Sequence, residues 1–187
     1  MIGFKDLLEN KEFFPKEPIT DITLPGPNFD LDAACEKLKQ LMKTRTAENE
    51  RSIRMHDERT FYAVEQYCKK NKLEHDSEEM QRMSDQAIPT IMHYKNKFDL
   101  IRPHKHDNSI KPMESTTNKT PAYPSGHAAQ SIIVGLHMAS KHPQHKENLI
   151  EAAKECGYGR VLAGFHYMQD FDAGNLLGEK MYSRMRK

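Results

Sequence analysis

The sequence predicts an all-α fold, a single-domain helical bundle, and three observations carry that prediction. Apolar residues recur at three- and four-residue spacing over most of the chain. Helix-starting residues (Asp30, Asp76 and Ser125) stand just ahead of those periodic runs. No stretch sustains the alternation with β-branched residues that a strand needs. At 187 residues the chain is long enough to bury a sizeable core within one domain.

Residues 1–29 carry Pro15, Pro18, Pro25 and Pro27 between short apolar pieces, which blocks any long helix. They read as an irregular arm on the domain surface, with one short helix near Phe4–Leu8. A helical domain follows over 30–187. Asp30 caps a helix to about Thr44, with Leu31, Ala34, Leu38 and Leu41 on one face. A second runs from about Ala47 to Asn71 and turns Ile53, Phe61, Val64 and Cys68 inward. Asp76 and Glu79 form a capping box for a third, which Pro89 kinks or interrupts, and the helical pattern resumes over Ile91–Leu100. After Arg102-Pro103 a polar loop extends to Tyr123. Ser125 opens the next helix, which reaches about Lys141 and ends at Pro143. Another begins near Glu147 with Leu149, Ile150, Ala153, Val161 and Leu162, and the last spans about Asp170 to Met185.

Composition narrows the function classes. A net charge of +1 lacks the basic surplus of a nucleic-acid binder. No apolar run approaches the ~18 residues that a membrane span requires. Met1 to Asn10 are charged throughout and contain no apolar signal core. Cys35, Cys68 and Cys156 lie far apart, so they read as reduced, buried thiols of a cytoplasmic protein.

Four pieces of the sequence carry chemistry. In Pro124-Ser125-Gly126-His127, Ser125 caps a helix whose free N–H groups and positive dipole end favour an anion such as phosphate. Gly126 permits close approach to the backbone, and His127 exchanges a proton near neutral pH. A Ser-Gly pair at a helix start is ordinarily only a cap. Lys95 and Arg102 are seven apart, two turns along one helical face, and such a pair is ordinarily a solvated basic stripe. His166 and Asp170 are four apart, so a carboxylate can take the Nδ1 proton and leave Nε2 with a free lone pair. Arg160 shares a site with His166 only if the helix ends between them, and Gly164 is where it can.

Taken together, Lys95-x6-Arg102-Pro103, Pro124-Ser125-Gly126-His127 and Arg160-x5-His166-x3-Asp170 resemble the three-part signature of the type-2 phosphatidic acid phosphatase superfamily. That superfamily includes soluble bacterial class A non-specific acid phosphatases, lipid phosphatases and vanadium haloperoxidases. The resemblance spans residues 95–170 and keeps the order and both gaps. Asp172-Ala173-Gly174 and Gly178 look like the helix continuation of the class A enzymes. One departure stands out: the third motif usually opens Ser-Arg, and here it is Gly159-Arg160, which puts one auxiliary hydroxyl contact in question.

The resemblance implies a phosphatase of the acid phosphatase/vanadium haloperoxidase fold. In it His166 attacks phosphorus to give a phosphohistidine, and Asp170 orients the ring. His127 protonates the leaving group and then activates water. Lys95, Arg102 and Arg160 hold the phosphoryl oxygens together with the Ser125 hydroxyl and the Gly126 N–H. No His, Asp or Cys cluster has hydrolytic metal spacing, so neither metal nor cofactor is expected. The expected substrate is a small soluble phosphomonoester, a nucleotide or sugar phosphate, with selectivity set by loop 104–123 and the Pro-rich arm. His104 and His106, beside the first motif, are further substrate candidates. Related soluble enzymes pair through helices, which implies a homodimer. Two alternatives remain open at this stage: a phosphate-sensing scaffold without turnover, and a vanadate-dependent haloperoxidase.

Overall fold

A computed structural model of the chain describes residues 12–185, and among these every regular element is helical. The short helix expected near Phe4–Leu8 lies outside the described residues. The helices are α1 (Leu31–Met42), α2 (Ala47–Glu58), α3 (Tyr62–Lys70), α4 (Ser77–Gln86), α5 (Ile88–Phe98), α6 (Pro103–His106), α7 (Gly126–Lys141), α8 (Lys146–Leu162) and α9 (Met168–Ser183). A short 3-10 turn, Pro143–His145, joins α7 to α8.

Helix α7 is the axis of the bundle. It buries residues around most of its circumference, and α8 and α9 pack along it, with α4, α5 and α3 closing the other sides. Its Ala129, Ile132, Ile133, Val134 and Met138 join Phe61, Met80, Met83, Ile91, Leu149 and Leu177 in the main core. Close approach is built in by glycine on α9. A Cβ at Gly178 would stand 2.2 Å from Ile132 Cγ2, and one at Gly174 would stand 2.4 Å from the Ser125 carbonyl oxygen.

Several elements differ from the expected ones, each for a physical reason. The helix expected over 47–71 is broken at Arg59, whose backbone is extended. Ile53 belongs to a separate cluster with Leu162, Ala163 and Phe165, whereas Phe61, Val64 and Cys68 face the main core. A straight helix could not serve both. Pro89 sits in the first turn of α5, where its missing N–H costs no helical bond, so it starts a helix rather than kinking one. Asp76 caps α4 as expected, but the Glu79 carboxylate pairs with Lys141 and His137 of α7. The last helix begins two residues before Asp170, at Met168.

The arm is irregular over the described residues 12–30, yet it does more than lie on the surface. Phe13 and Phe14 enter the main core, with both backbone N–H groups donating to Gln86 Oε1. Ile22 N–H donates to the Tyr94 hydroxyl, and the Tyr123 hydroxyl donates to the Pro25 carbonyl. The three cysteines are buried and unpaired. No described helix is long and apolar enough to cross a membrane.

Candidate active site

The α7 N-terminus is clamped to the start of α9. Ser125 N–H donates to the Asp170 carbonyl at 2.9 Å, and the Ser125 hydroxyl accepts from Ala128 N–H at 3.5 Å. Gly126 and His127 therefore emerge at a fixed point of the bundle. Lys95, Arg102, Gly126, His127, Arg160 and His166 all line one cavity of about 270 Å³ there. Ser125 and Asp170 are fully buried behind its wall. The Ser125 hydroxyl, expected at the phosphoryl group, is used here in capping its own helix.

His166 is fixed from both sides. Helix α8 ends at Leu162, and Gly164 takes φ +82°, a left-handed conformation that reverses the chain and brings His166 back beside Arg160. Asp170 Oδ2 accepts from His166 Nδ1 at 3.1 Å and from Tyr167 N–H at 3.0 Å. On the other face Arg102 Nη1 lies 3.1 Å from His166 Nε2. A guanidinium has only N–H donors, so Nε2 must be the acceptor and the ring proton sits on Nδ1, facing Asp170. The ring is therefore a neutral imidazole with its Nε2 lone pair turned to the cavity.

The cations are not gathered by one helical face. Helix α5 ends at Phe98, Asp99 adopts φ 44°, and Arg102 is extended at the cap of α6. The expectation that Lys95 and Arg102 project from two turns of one helix is corrected accordingly. The loop after α6 supplies the acceptors that hold them. Lys95 Nζ donates to the Pro121 carbonyl at 2.6 Å, and Arg102 Nε donates to the Thr120 carbonyl at 2.8 Å. Arg102 Nη1 also donates to the Phe165 carbonyl. Arg160 stacks over the Phe165 ring at 4.1 Å.

Asp57, near the end of α2, belongs to the site although no sequence motif includes it. Its Oδ1 accepts from Arg160 Nη1 at 2.6 Å, from the Ser115 hydroxyl at 2.7 Å and from the Thr117 hydroxyl at 3.0 Å. Arg160 Nη2 reaches the same two hydroxyls. Nothing in the sequence marks Asp57 among the acids of α2, because its partner stands 103 residues away. His104 and His106 do not line the cavity, and His106 pairs with Asp32. No described residue of the Pro-rich arm lines it either, whereas Thr117 and Thr120 of the loop do. A Cβ at Gly159 would meet Ile53 Cγ1 at 3.1 Å, so the glycine that replaces the motif's usual serine accommodates α2.

Burial depresses the cations and imidazoles of the site, and crowding of like charge adds to it. Burial, reinforced by Arg102, pulls Lys95 down to about 7. Burial lowers Arg102 to about 10. His166 is held well below the ordinary histidine value by burial and by Arg102, Lys95 and Arg160. His127 is held well below it by burial and Arg160, against the opposite pull of Asp57. Its Nε2 is shielded from solvent and has no hydrogen-bond partner. Burial raises Asp170 to about 7, against Tyr167 N–H and the cations Lys95 and Arg102. Buried cations, a helix N-terminus and two imidazoles thus converge on a space that a tetrahedral anion would complete. Among the described residues no group of three or more His, Cys, Asp or Glu could hold a metal ion.

The sequence profile of the PAP2 superfamily matches residues 83–182, more than half of the chain; the match includes Lys95, Arg102, Ser125, Gly126, His127, Arg160, His166 and Asp170 but not Asp57. A non-specific acid phosphatase of Salmonella typhi is 34% identical over 73 residues, 39% of this chain and 29% of that protein. A non-specific acid phosphatase of Providencia stuartii is 30% identical over 60 residues, 32% of this chain and 24% of that protein. An acid phosphatase of Zymomonas mobilis is 32% identical over 59 residues, 32% of this chain and 22% of that protein. The matched segment thus spans less than a third of the length of each of these relatives.

Proposed function

The chain belongs to the PAP2 superfamily, and on that premise we propose that it hydrolyses small phosphomonoesters through a phosphohistidine, without a metal. Support comes from relatives named as acid phosphatases and, above all, from one alignment of atoms: Asp170 Oδ2, the His166 ring and the Arg102 guanidinium.

The steps follow from that alignment. An entering phosphate monoester draws Arg102 Nη1 onto a phosphoryl oxygen and uncovers the Nε2 lone pair. Lys95, Arg160 and the N–H groups at the start of α7 take the remaining charge. His166 Nε2 forms a bond to phosphorus as the bond to the ester oxygen breaks, and the ring keeps its Nδ1 proton on Asp170. His127 gives its proton to the departing alkoxide. The substrate's negative charge favours that protonated form, opposing the burial that disfavours it. In the second half His127 takes a proton from water, the resulting hydroxide attacks phosphorus, and the P–N bond breaks to release inorganic phosphate. Nucleotide monophosphates and sugar phosphates fall within the small phosphomonoesters that this chemistry can turn over.

Turnover of p-nitrophenyl phosphate in EDTA, by the parent and by His166→Ala, tests this reading. Sustained parental activity and a loss of about 10³-fold or more in the variant are expected, since covalent catalysis ends with the nucleophile. Equal rates in the two proteins would exclude it.

A further inference from the structure

Beyond the phosphoryl end, the cavity has an outer wall of opposite character. Glu58 at the end of α2, Gln81 and Asp85 of α4, and Gln130 of α7 line it there. Gln130 lies three residues after His127 on α7, about 4.5 Å along the axis and on the same side. The wall is thus next to the imidazole that faces the departing group.

The wall offers few free donors. Gln130 Nε2 is spent on the Ser84 carbonyl at 3.2 Å and the Ser84 hydroxyl at 3.1 Å. Gln81 Nε2 donates to Asp85 Oδ1 at 2.9 Å. The side-chain groups left facing the cavity are chiefly acceptors: two amide oxygens and the carboxylates of Glu58 and Asp85. Lys95, Arg102 and Arg160 are the cations that line the cavity among the described residues, and all three are buried at the inner end. His127, whose shielded Nε2 has no hydrogen-bond partner, lines the same cavity.

We infer that the outer wall selects phosphomonoesters whose leaving group carries an ammonium or other N–H cation on a short spacer. Esters with a second anionic group are rejected. Resting on the phosphatase reading for its chemistry, this inference deepens it by naming the substrate class. An ammonium group supplies the donors that Glu58, Asp85 and the two amide oxygens lack, and its charge complements theirs. A carboxylate or second phosphate in that place meets two carboxylates of its own sign and few free donors.

Binding can be read independently of turnover with three phosphonates of matched size: 2-aminoethyl-, propyl- and carboxymethylphosphonate, titrated by calorimetry at low salt. The aminoethyl compound is expected to bind about tenfold or more tighter than the carboxymethyl one, with the propyl compound between, a span that two partly screened charge contacts can supply. In Glu58→Gln/Asp85→Asn the three affinities are expected to converge to within about threefold. The p-nitrophenyl phosphate assay runs alongside on both proteins. The stated order of affinities without hydrolysis supports the outer wall and removes the phosphatase reading. Hydrolysis with three equal affinities, a reversed order, or a preference that survives the double variant overturns the inference. Failure of all three phosphonates to bind overturns both.

Discussion

Asp170 meets the His166 ring and the start of its own helix through a single oxygen. Oδ2 accepts both the imidazole Nδ1–H and Tyr167 N–H, while Oδ1 is buried without a partner. An asparagine here would turn its carbonyl oxygen to those two donors and leave its NH2 in the place of Oδ1. The ring would keep its proton on Nδ1, and only the negative charge would be lost. Asp170→Asn is therefore expected to lower kcat by about 10- to 100-fold, the worth of a charge-assisted hydrogen bond. Tautomer reversal costs about 10⁴-fold where it occurs. Steady-state kinetics of Asp170→Asn beside Asp170→Ala test this, and an asparagine variant as impaired as the alanine one would refute the single-oxygen account. Residues such as His166 and Asp170 were legible because four-residue spacing is a property of the sequence itself. Asp57 was not. Its meaning depends on Arg160, Ser115 and Thr117, which only the folded chain brings to it.

Among the elements, the α7–α9 contact determines where the site sits. Gly174 and Gly178 are one turn apart on α9, and both face α7 at distances that leave no room for a methyl group. At Gly178 the obstruction is Ile132 and the Ala129 backbone, within the main core. At Gly174 it is the Ser125 carbonyl, at the point where α7 begins the cavity wall. Overpacking of this kind costs about 1–3 kcal/mol, so each alanine variant is expected to lower Tm by about 2–10 °C in a chain of this size. Gly174→Ala should also lower kcat/KM by about tenfold or more, because sub-ångström shifts of catalytic groups are felt directly in rate. Thermal melts with kinetics on folded protein below Tm separate the two effects, and equal catalytic losses at both positions would count against the clamp. Helix starts at Asp30, Asp76 and Ser125 were readable from capping chemistry. The break at Arg59 was not, since no proline or glycine marks it and its cause is that the two ends serve different clusters. The reversal at Asp99 was hidden for a similar reason: a non-glycine residue in a left-handed turn carries little sequence signal.

Taken whole, the bundle buries three like charges around one cavity, and that has a consequence for pH. Lys95 faces Arg102, Arg160 and the carboxylate of Asp170, and burial with the two guanidinium groups lowers it to about 7. An anion in the cavity supplies what burial removed, so the bound complex holds the Lys95 proton at pH values where the free protein has released it. His127, held well below its ordinary value in the free protein, moves in the same direction. Binding therefore takes up protons, and affinity must fall as pH rises. Sulfate isolates the effect, since it is tetrahedral and dianionic and does not itself titrate in this range. Its affinity is expected to drop by about tenfold per pH unit above 7 for each proton taken up, with Lys95 as the first contributor. Calorimetry at pH 8 in two buffers of different ionisation enthalpy should show an apparent enthalpy that depends on buffer, with the sign of proton uptake. Asp170, itself raised to about 7, takes up a proton in the same way, so Lys95→Arg, which retains its charge through this range, should reduce the slope above pH 7 by about one unit rather than abolish it. For a phosphomonoester substrate, kcat/KM should decline on the alkaline side for the same reason. Buffer-independent heats, or a pH dependence unaltered in Lys95→Arg, would mean that the lysine is charged in the free protein and that burial does not control this site.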